Sequence, residues 1–331
     1  MRITPPEARQ IVQQIFGAQP DRVEWPGGRS RKTFIVVYAG KKYVVSRRSG
    51  PGRARLEATA LEALGQRGLA PVLLHLHESW VVQSYIPGER LAELLAGDTA
   101  SSDMVAAAAR SLALIQRAAA EAGLNALMPV IGARDGWVAD LLAIPSRIAA
   151  GHGWPEPQLD LERLEHILSQ PPRSFVKWDA RPGNAVMAPV SRQPVWIDWE
   201  HAGLRVAADD LAWLVCDEWF PAGQSAERVA IDAFKSIYAD QFEFDFDRYL
   251  RCFGVFHMLV RASLILGQVA KHGWGDETKL LALDQIGSVP SRLITLCERG
   301  QRWSALEPAL QPLAPLFASI SEFAAKPGTD H

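Results

Sequence analysis

Residues 175–200 read FVKWDARPGNAVMAPVSRQPVWIDWE, and most of what the chain is can be worked out from this stretch. Two apolar runs, Ala185 to Ala188 and Val195 to Asp198, flank the turn-rich segment Pro189 to Pro194, which is the composition of a β-hairpin. With the turn centred near Ser191 and Arg192, Ala185 falls opposite Asp198. Asn184 and Asp198 then lie side by side at the open end, about 5 Å apart as cross-strand neighbours are, with Asp179 one short loop upstream. Taken singly, Asp179 and Asn184 read as turn residues and Asp198 as a strand-end cap. Taken together, two carboxylates and a carboxamide suit a hard divalent cation, because Mg2+ takes a few side-chain oxygens and completes its shell with phosphates and water. Asp179 is then free to orient or deprotonate an attacking hydroxyl.

Outward from this hairpin the chain divides into a strand-rich and a helical part. Thr4-Pro5-Pro6-Glu7 has the spacing of a capping box and starts a helix that runs to about Phe16. From Val23 to Arg48 two β-branched and aromatic runs, Thr33 to Tyr38 and Tyr43 to Ser46, are separated by Ala-Gly-Lys and read as antiparallel hairpins. Arg55 to Gln66 is a helix with Leu56, Ala60, Leu61 and Leu64 on one face, and Pro71 to Ile86 reads as two further strands. Pro87-Gly88 closes this part. Beyond Leu91 the pattern is helical at Ser102 to Ala122, Trp137 to Ala150, Asp160 to Gln170 and from Ala226 onward. The predicted division is 1–86 and 87–331, an α+β chain with a small β-rich N-terminal lobe and a larger, mainly helical C-terminal lobe.

Composition excludes several other classes. The chain has 331 residues, 48% of them hydrophobic and 22% charged, as in an ordinary folded protein. A formal net charge of −2 offers no global field for nucleic acid or an anionic membrane, so neither is expected as a partner. Cys216, Cys252 and Cys297 are far apart and lack metal-ligand spacing, which points to reduced buried thiols and a cytoplasmic protein. The longest apolar run, Cys252 to Val260, is stopped by Arg261, short of the roughly 20 residues of a membrane span.

The D-x4-N pattern of Asp179 and Asn184, with Asp198 fourteen residues on, a Gly-Gly hairpin upstream and a helix carrying Glu57, resembles the aminoglycoside phosphotransferase and choline kinase-like family. The resemblance spans about Val23 to Trp213 and is strongest at WDARPGN and IDWEHAGLRVAADDLAWL, the latter most similar to the choline and thiamine kinase branch. It implies a bilobal protein kinase-like fold that binds ATP and Mg2+. Carried over, it makes Asp179 the catalytic base, and Asn184 and Asp198 the metal ligands. Arg181, two residues after Asp179, would stabilise charge on the transferred phosphoryl group. Asp210 would underpin the catalytic loop through backbone hydrogen bonds, and Glu200 would reach the metal's surroundings or the substrate.

In the N-terminal lobe the resemblance makes Gly27, Gly28 and Ser30 a phosphate-covering turn, where absent β-carbons let backbone N–H groups approach. It also asks for a basic strand residue paired with Glu57. Period-2 alternation puts Tyr43, Val45 and Arg47 on one face, and Arg47 is chosen over Arg48. Trp80 to Ile86 looks like the strand that reads adenine, with Ser84 and Ile86 supplying carbonyl and amide. Lys177 departs from the family, which usually carries a loop-bracing histidine there. A pairing with an acid, a phosphate contact and simple solvation all remain open for it.

For the acceptor, Trp199, Glu200, Asp217 and Trp219 combine aromatic faces with carboxylates, the chemistry that holds a cationic nitrogen, as in choline, thiamine or an aminoglycoside. The predicted function is transfer of the γ-phosphoryl group of Mg-ATP to a hydroxyl of such a small molecule. A catalytically silent nucleotide-binding module, or a kinase for sugar or protein acceptors, is the alternative.

Overall fold

Capping decides where the first element begins. In the computed structural model, which describes residues 3–25, 32–97, 101–238 and 242–326, helix α1 (Pro5–Phe16) starts on the expected capping box. The Thr4 amide donates to the Glu7 carboxylate at 2.8 Å and Gly17 ends the helix in the left-handed conformation. The strands β1 (Arg22–Glu24), β2 (Thr33–Tyr38), β3 (Lys41–Arg47), β4 (Leu73–His77) and β5 (Trp80–Ser84) form an antiparallel five-stranded sheet in the order β1-β2-β3-β5-β4.

Each face of this sheet is covered by one helix. Ala8, Ile11 and Val12 of α1 pack with Phe34, Val36, Val45 and Val82 into a small separate core. On the other side α2 (Pro51–Gly65) sends Ala54, Ala60, Leu61 and Leu64 into the main core together with Val81. This division of faces settles the fate of β3, because Val45 belongs to the α1 side and everything in phase with it does too.

The C-terminal part comprises α3 (Leu91–Ala96), α4 (Ser102–Glu121), α5 (Trp137–Leu142), α6 (Ile144–His152), α7 (Leu161–Leu168), α8 (Ala208–Val215), α9 (Gln224–Tyr238), α10 (Phe246–His272), α11 (Glu277–Ala282), α12 (Pro290–Ala305) and α13 (Ala314–Ala325). The single helix expected over Trp137 to Ala150 is two, because Pro145 lacks the N–H that an uninterrupted helix needs and instead sits in the first turn of α6. By length and composition α10 is apolar enough to cross a membrane, longer than the sequence reading allowed. Its most apolar window is 67% buried, against α8 and α12 among others.

Short strands interrupt these helices where the chemistry was expected. β6 (Glu89–Arg90), β8 (Ala185–Met187) and β9 (Pro194–Trp196) form one sheet, and β7 (Ser174–Val176) pairs with β10 (Gly203–Arg205). The hairpin exists, but its register differs from the expected one: Ala185 faces Trp196, not Asp198. The turn closes one residue earlier than predicted, fixed by Arg192 in a left-handed conformation and its N–H donating to the Ala188 carbonyl. Asn184 still reaches the neighbouring strand, accepting from the Ile197 amide at 2.8 Å.

Candidate active site

The loop between β7 and β8 is held in a conformation that side chains rarely choose. Trp178 and Asp179 both have φ near +50°, and Asp198, beyond β9, has φ of 62°. Each such residue costs on the order of 1 kcal/mol, so the surroundings must fix them. Asp210 of α8 does so from below. Its carboxylate, fully buried, accepts from the amides of Lys177 at 2.9 Å and Trp178 at 2.8 Å and from the Gln116 side chain at 3.0 Å. Burial, only partly offset by these bonds, pushes its pKa up to about 6.

Lys177 fixes the loop from the side. Its ammonium is buried over the faces of Trp196 and Trp199, and it donates to the carbonyls of Asp179 at 3.3 Å and Asp198 at 3.1 Å, with Trp178 at 3.5 Å. One side chain thus ties together the two segments that carry the candidate chemistry. Burial drives its pKa down, while Asp179 and Asp198 oppose that. None of the three roles considered from sequence describes it: Lys177 braces backbone carbonyls.

Within the loop, both oxygens of Asp179 are engaged. Asn184 donates to one at 2.7 Å and Arg181 Nε to the other at 3.1 Å. Arg181 also faces Asp284, and against the cost of burial the carboxylates of Asp179, Asp217 and Asp284 hold it charged. Gly183 is required here, since a β-carbon would lie 1.9 Å from the Asp284 carboxylate. Arg90 closes this side, 2.9 Å from Asp284 and donating to the Gly183 carbonyl.

From the five-stranded sheet comes the residue that corrects the choice of Arg47. Glu57 is gripped by Arg48, through Nε and, at 2.6 Å, through Nη2. Arg47 lies on the opposite, α1 face, over the Trp80 ring and 3.9 Å from Glu7. The alternation was right; the choice of face was wrong, because α1 covers the side in phase with Val45. Arg48 also reaches Asp198 at 2.9 Å and Glu200 at 3.1 Å, so it spans the two parts of the chain. Despite burial, the carboxylates of Glu57, Asp198 and Glu200 keep it charged. Burial raises the pKa of Asp198, but Arg48 and Lys177 outweigh it and the group is held below the usual carboxylate range.

The donor set fits a divalent cation. Asp198 is partly exposed, at 38%, and its Oδ1, turned inward, meets the Arg48 guanidinium at 2.9 Å. With Asn184 this gives two oxygen-bearing ligands on adjacent segments, few enough that phosphate oxygens would complete the shell.

The expected acceptor group is not open. Trp199 is fully buried, stacked on Phe175 with its indole N–H on the Trp196 carbonyl. Trp219 is 1% exposed and donates to the Gln285 carbonyl. Asp217 and its neighbour Glu218 are sealed with Arg261, which takes Glu218 at 2.8 and 2.5 Å. Burial and the adjacent Glu218 push Asp217 up, whereas Arg261 overcomes burial to hold Glu218 down. Glu200 is turned to Arg48, and its carbonyl accepts from Arg53. A pair of acids beside aromatics reads as a cation pocket until an arginine from a distant helix is found filling it.

Of the nucleotide residues, Gly27, Gly28 and Ser30 lie outside the described residues. Ser84 spends its N–H and its hydroxyl on Val72, each at 2.9 Å, and Ile86 follows the end of β5. Sequence reasoning missed Arg48, Arg90 and Asp284. For Arg48 the signal was present in the neighbouring position; for Asp284, about a hundred residues from the loop, there was none.

A rigid loop presenting a carboxylate, faced by a second carboxylate that an arginine reaches from a separate sheet, is built for moving a phosphoryl group, and the class so defined is that of kinase-like phosphotransferases. The chain belongs to the phosphotransferase enzyme family, whose model matches residues 22–249. Solved structures share the fold at low identity. An aminoglycoside phosphotransferase from Alicyclobacillus acidocaldarius is 13% identical, covering 92% of each chain with a TM-score of 0.54. A choline/ethanolamine kinase family protein from Mesorhizobium loti is 16% identical over 96% of this chain and 99% of its own, TM-score 0.53. A macrolide 2'-phosphotransferase from Brachybacterium faecium is 17% identical over 84% and 97%, TM-score 0.53. No curated protein sequence matches significantly.

Proposed function

We propose that the protein transfers the γ-phosphoryl group of Mg-ATP to a hydroxyl of a small molecule. The division at 86/87 separates a nucleotide-binding lobe from one that holds the loop, the metal ligands and the acceptor. Arg48, fixed by Glu57, meets the α- and β-phosphates. Asp198 and Asn184 would hold Mg2+, which when bound neutralises charge on the phosphates. Asp179 accepts the acceptor's hydroxyl proton or orients that group, and Arg181 stabilises charge spreading over the phosphoryl oxygens.

The observation that carries this reading is the pairing of Asp179 with Asn184 and Arg181 on a braced loop, beside a partly exposed Asp198 that Arg48 reaches. Mg2+-dependent ATP consumption across a panel of small alcohols tests it, with Asp179→Asn as control. Turnover that survives this change refutes Asp179 as the base. Because Asp217, Glu218 and Trp219 are sealed, the reading draws no cationic acceptor from them.

A second reading, a catalytically silent nucleotide-binding module, draws on the 2.9 Å contact between Arg48 and Asp198, which occupies an oxygen a metal would use. Nucleotide binding without turnover of alcohols, sugars or proteins would favour it.

A further inference from the structure

Behind the loop lies a cavity of about 330 Å³ that the phosphoryl-transfer reading does not use. Its walls are aromatic: Trp137 from α5, Trp178 from the loop, Trp213 from α8, and Phe253 and His257 from α10. The rings contact one another, with Trp213 and His257 centroids 4.2 Å apart and Trp178 and Trp213 meeting edge to face at 5.3 Å. None of Asp179, Arg181, Asn184 or Asp198 lines it. It is therefore separate from the candidate metal ligands, yet one wall is the residue directly before Asp179.

Two features say what would occupy it. The lining is dominated by rings, and Trp213 Nε1 and His257 Nε2, the polar atoms of two of them, are buried away from its open space. Burial, and after it Arg261, pushes the His257 pKa down to about 3, so this ring brings no charge to the lining. The mouth, by contrast, is cationic. Arg134 pairs with Asp140, but Arg147 donates to the Asp140 backbone carbonyl at 2.6 Å, and among the described residues no carboxylate pairs with it. One guanidinium charge is left at the opening.

We propose that this cavity is a second small-molecule site, for a compact aromatic ligand with a single anionic group: rings against the tryptophans, the anion at Arg147. Its occupant touches Trp178 and so bears on the strained turn that aims Asp179.

The test uses the full-length protein without nucleotide and 2-naphthoate as probe, which has no hydroxyl to accept a phosphoryl group, so the result is independent of turnover. Calorimetry and quenching of tryptophan fluorescence are expected to show saturable binding of one probe per chain, with 2-naphthylmethylammonium at least about tenfold weaker. Val260→Trp, which fills the cavity from α10, and Arg147→Glu at its exposed mouth should each weaken 2-naphthoate by about tenfold or more at an unchanged melting temperature. Should Val260→Trp fail to fold, the surface variant Arg147→Glu decides alone. No saturable binding, undiminished binding by Arg147→Glu, or a preference for the ammonium probe would overturn the proposal.

Discussion

Two arginine–carboxylate clusters of nearly the same chemistry sit in this protein and differ in one respect. Arg48 holds Glu57 and reaches Asp198 and Glu200, while Arg261 holds Glu218 beside Asp217. In the first, Glu57 is sealed but Asp198 is 38% exposed and Glu200 22%; in the second, both acids are sealed. Charge content therefore does not make a site. Access does, and only the first cluster, beside the loop of Asp179, has it.

The sharpest separation comes from removing one group on each side. Asp179→Asn keeps the size of the side chain and is expected to lower turnover by about 10²–10⁴-fold, the usual worth of a positioned acid or base. Its melting temperature should stay near that of the parent. Arg261→Met should do the reverse. It strands Glu218 without its partner in a closed interior, at a cost of about 3–5 kcal/mol read from the denaturant midpoint, with nucleotide affinity of the folded protein unchanged. Arg48→Met combines the two: it strands Glu57, as sealed as Glu218, so a comparable loss of stability is expected, and it adds a marked loss of Mg-nucleotide affinity by calorimetry that Arg261→Met lacks. If Arg48→Met left Mg-nucleotide affinity unchanged, or Arg261→Met lowered it, the contrast in access would be wrong.

A smaller effect is expected from the brace. Lys177→Met leaves the Asp198 carbonyl without a donor and the Asp179 carbonyl with Asn184 alone, and kcat should drop about tenfold or more with little change in KM for ATP. A change confined to KM would show that Lys177 contacts nucleotide instead.

How much of this was legible in the sequence follows from the range over which each feature is determined. Asp179, Asn184, Asp198 and Asp210 are set by local spacing around one loop and its supporting helix; the structure pairs Asn184 with Asp179, ties the Asp179 and Asp198 backbones through Lys177 and sets Asp210 on the loop amides, while the hairpin register differs. The hairpin itself was readable from composition, but not its turn, because a left-handed Arg192 has no signature of the kind glycine gives. Arg47 and Arg48 cannot be separated by alternation alone, since alternation says which residues share a face and not which face a helix covers. Trp199 and Trp219 read as a pocket because nothing nearby in sequence announces Phe175, Gln285 or Arg261. Those partners come from other elements, and burial is a property of the assembled core.

The last expectation concerns pH and belongs to the open side of the comparison, where Asp210 supports the loop. Its carboxyl is held up to about 6 by burial, above the ordinary value near 4 that it would have in the unfolded chain. Between those two values the folded protein keeps a proton that the unfolded chain has released, so it binds more protons, and this group's contribution to stability grows as the pH falls from about 6 to about 4. Asp210→Asn cannot titrate. Denaturant titrations at stepped pH should therefore show the deficit of the variant relative to the parent widening toward pH 4, on top of a constant loss from the weakened grip on the Lys177 and Trp178 amides. A difference that did not vary with pH would mean that Asp210 is fully ionised throughout, so that the three hydrogen bonds it accepts outweigh its burial.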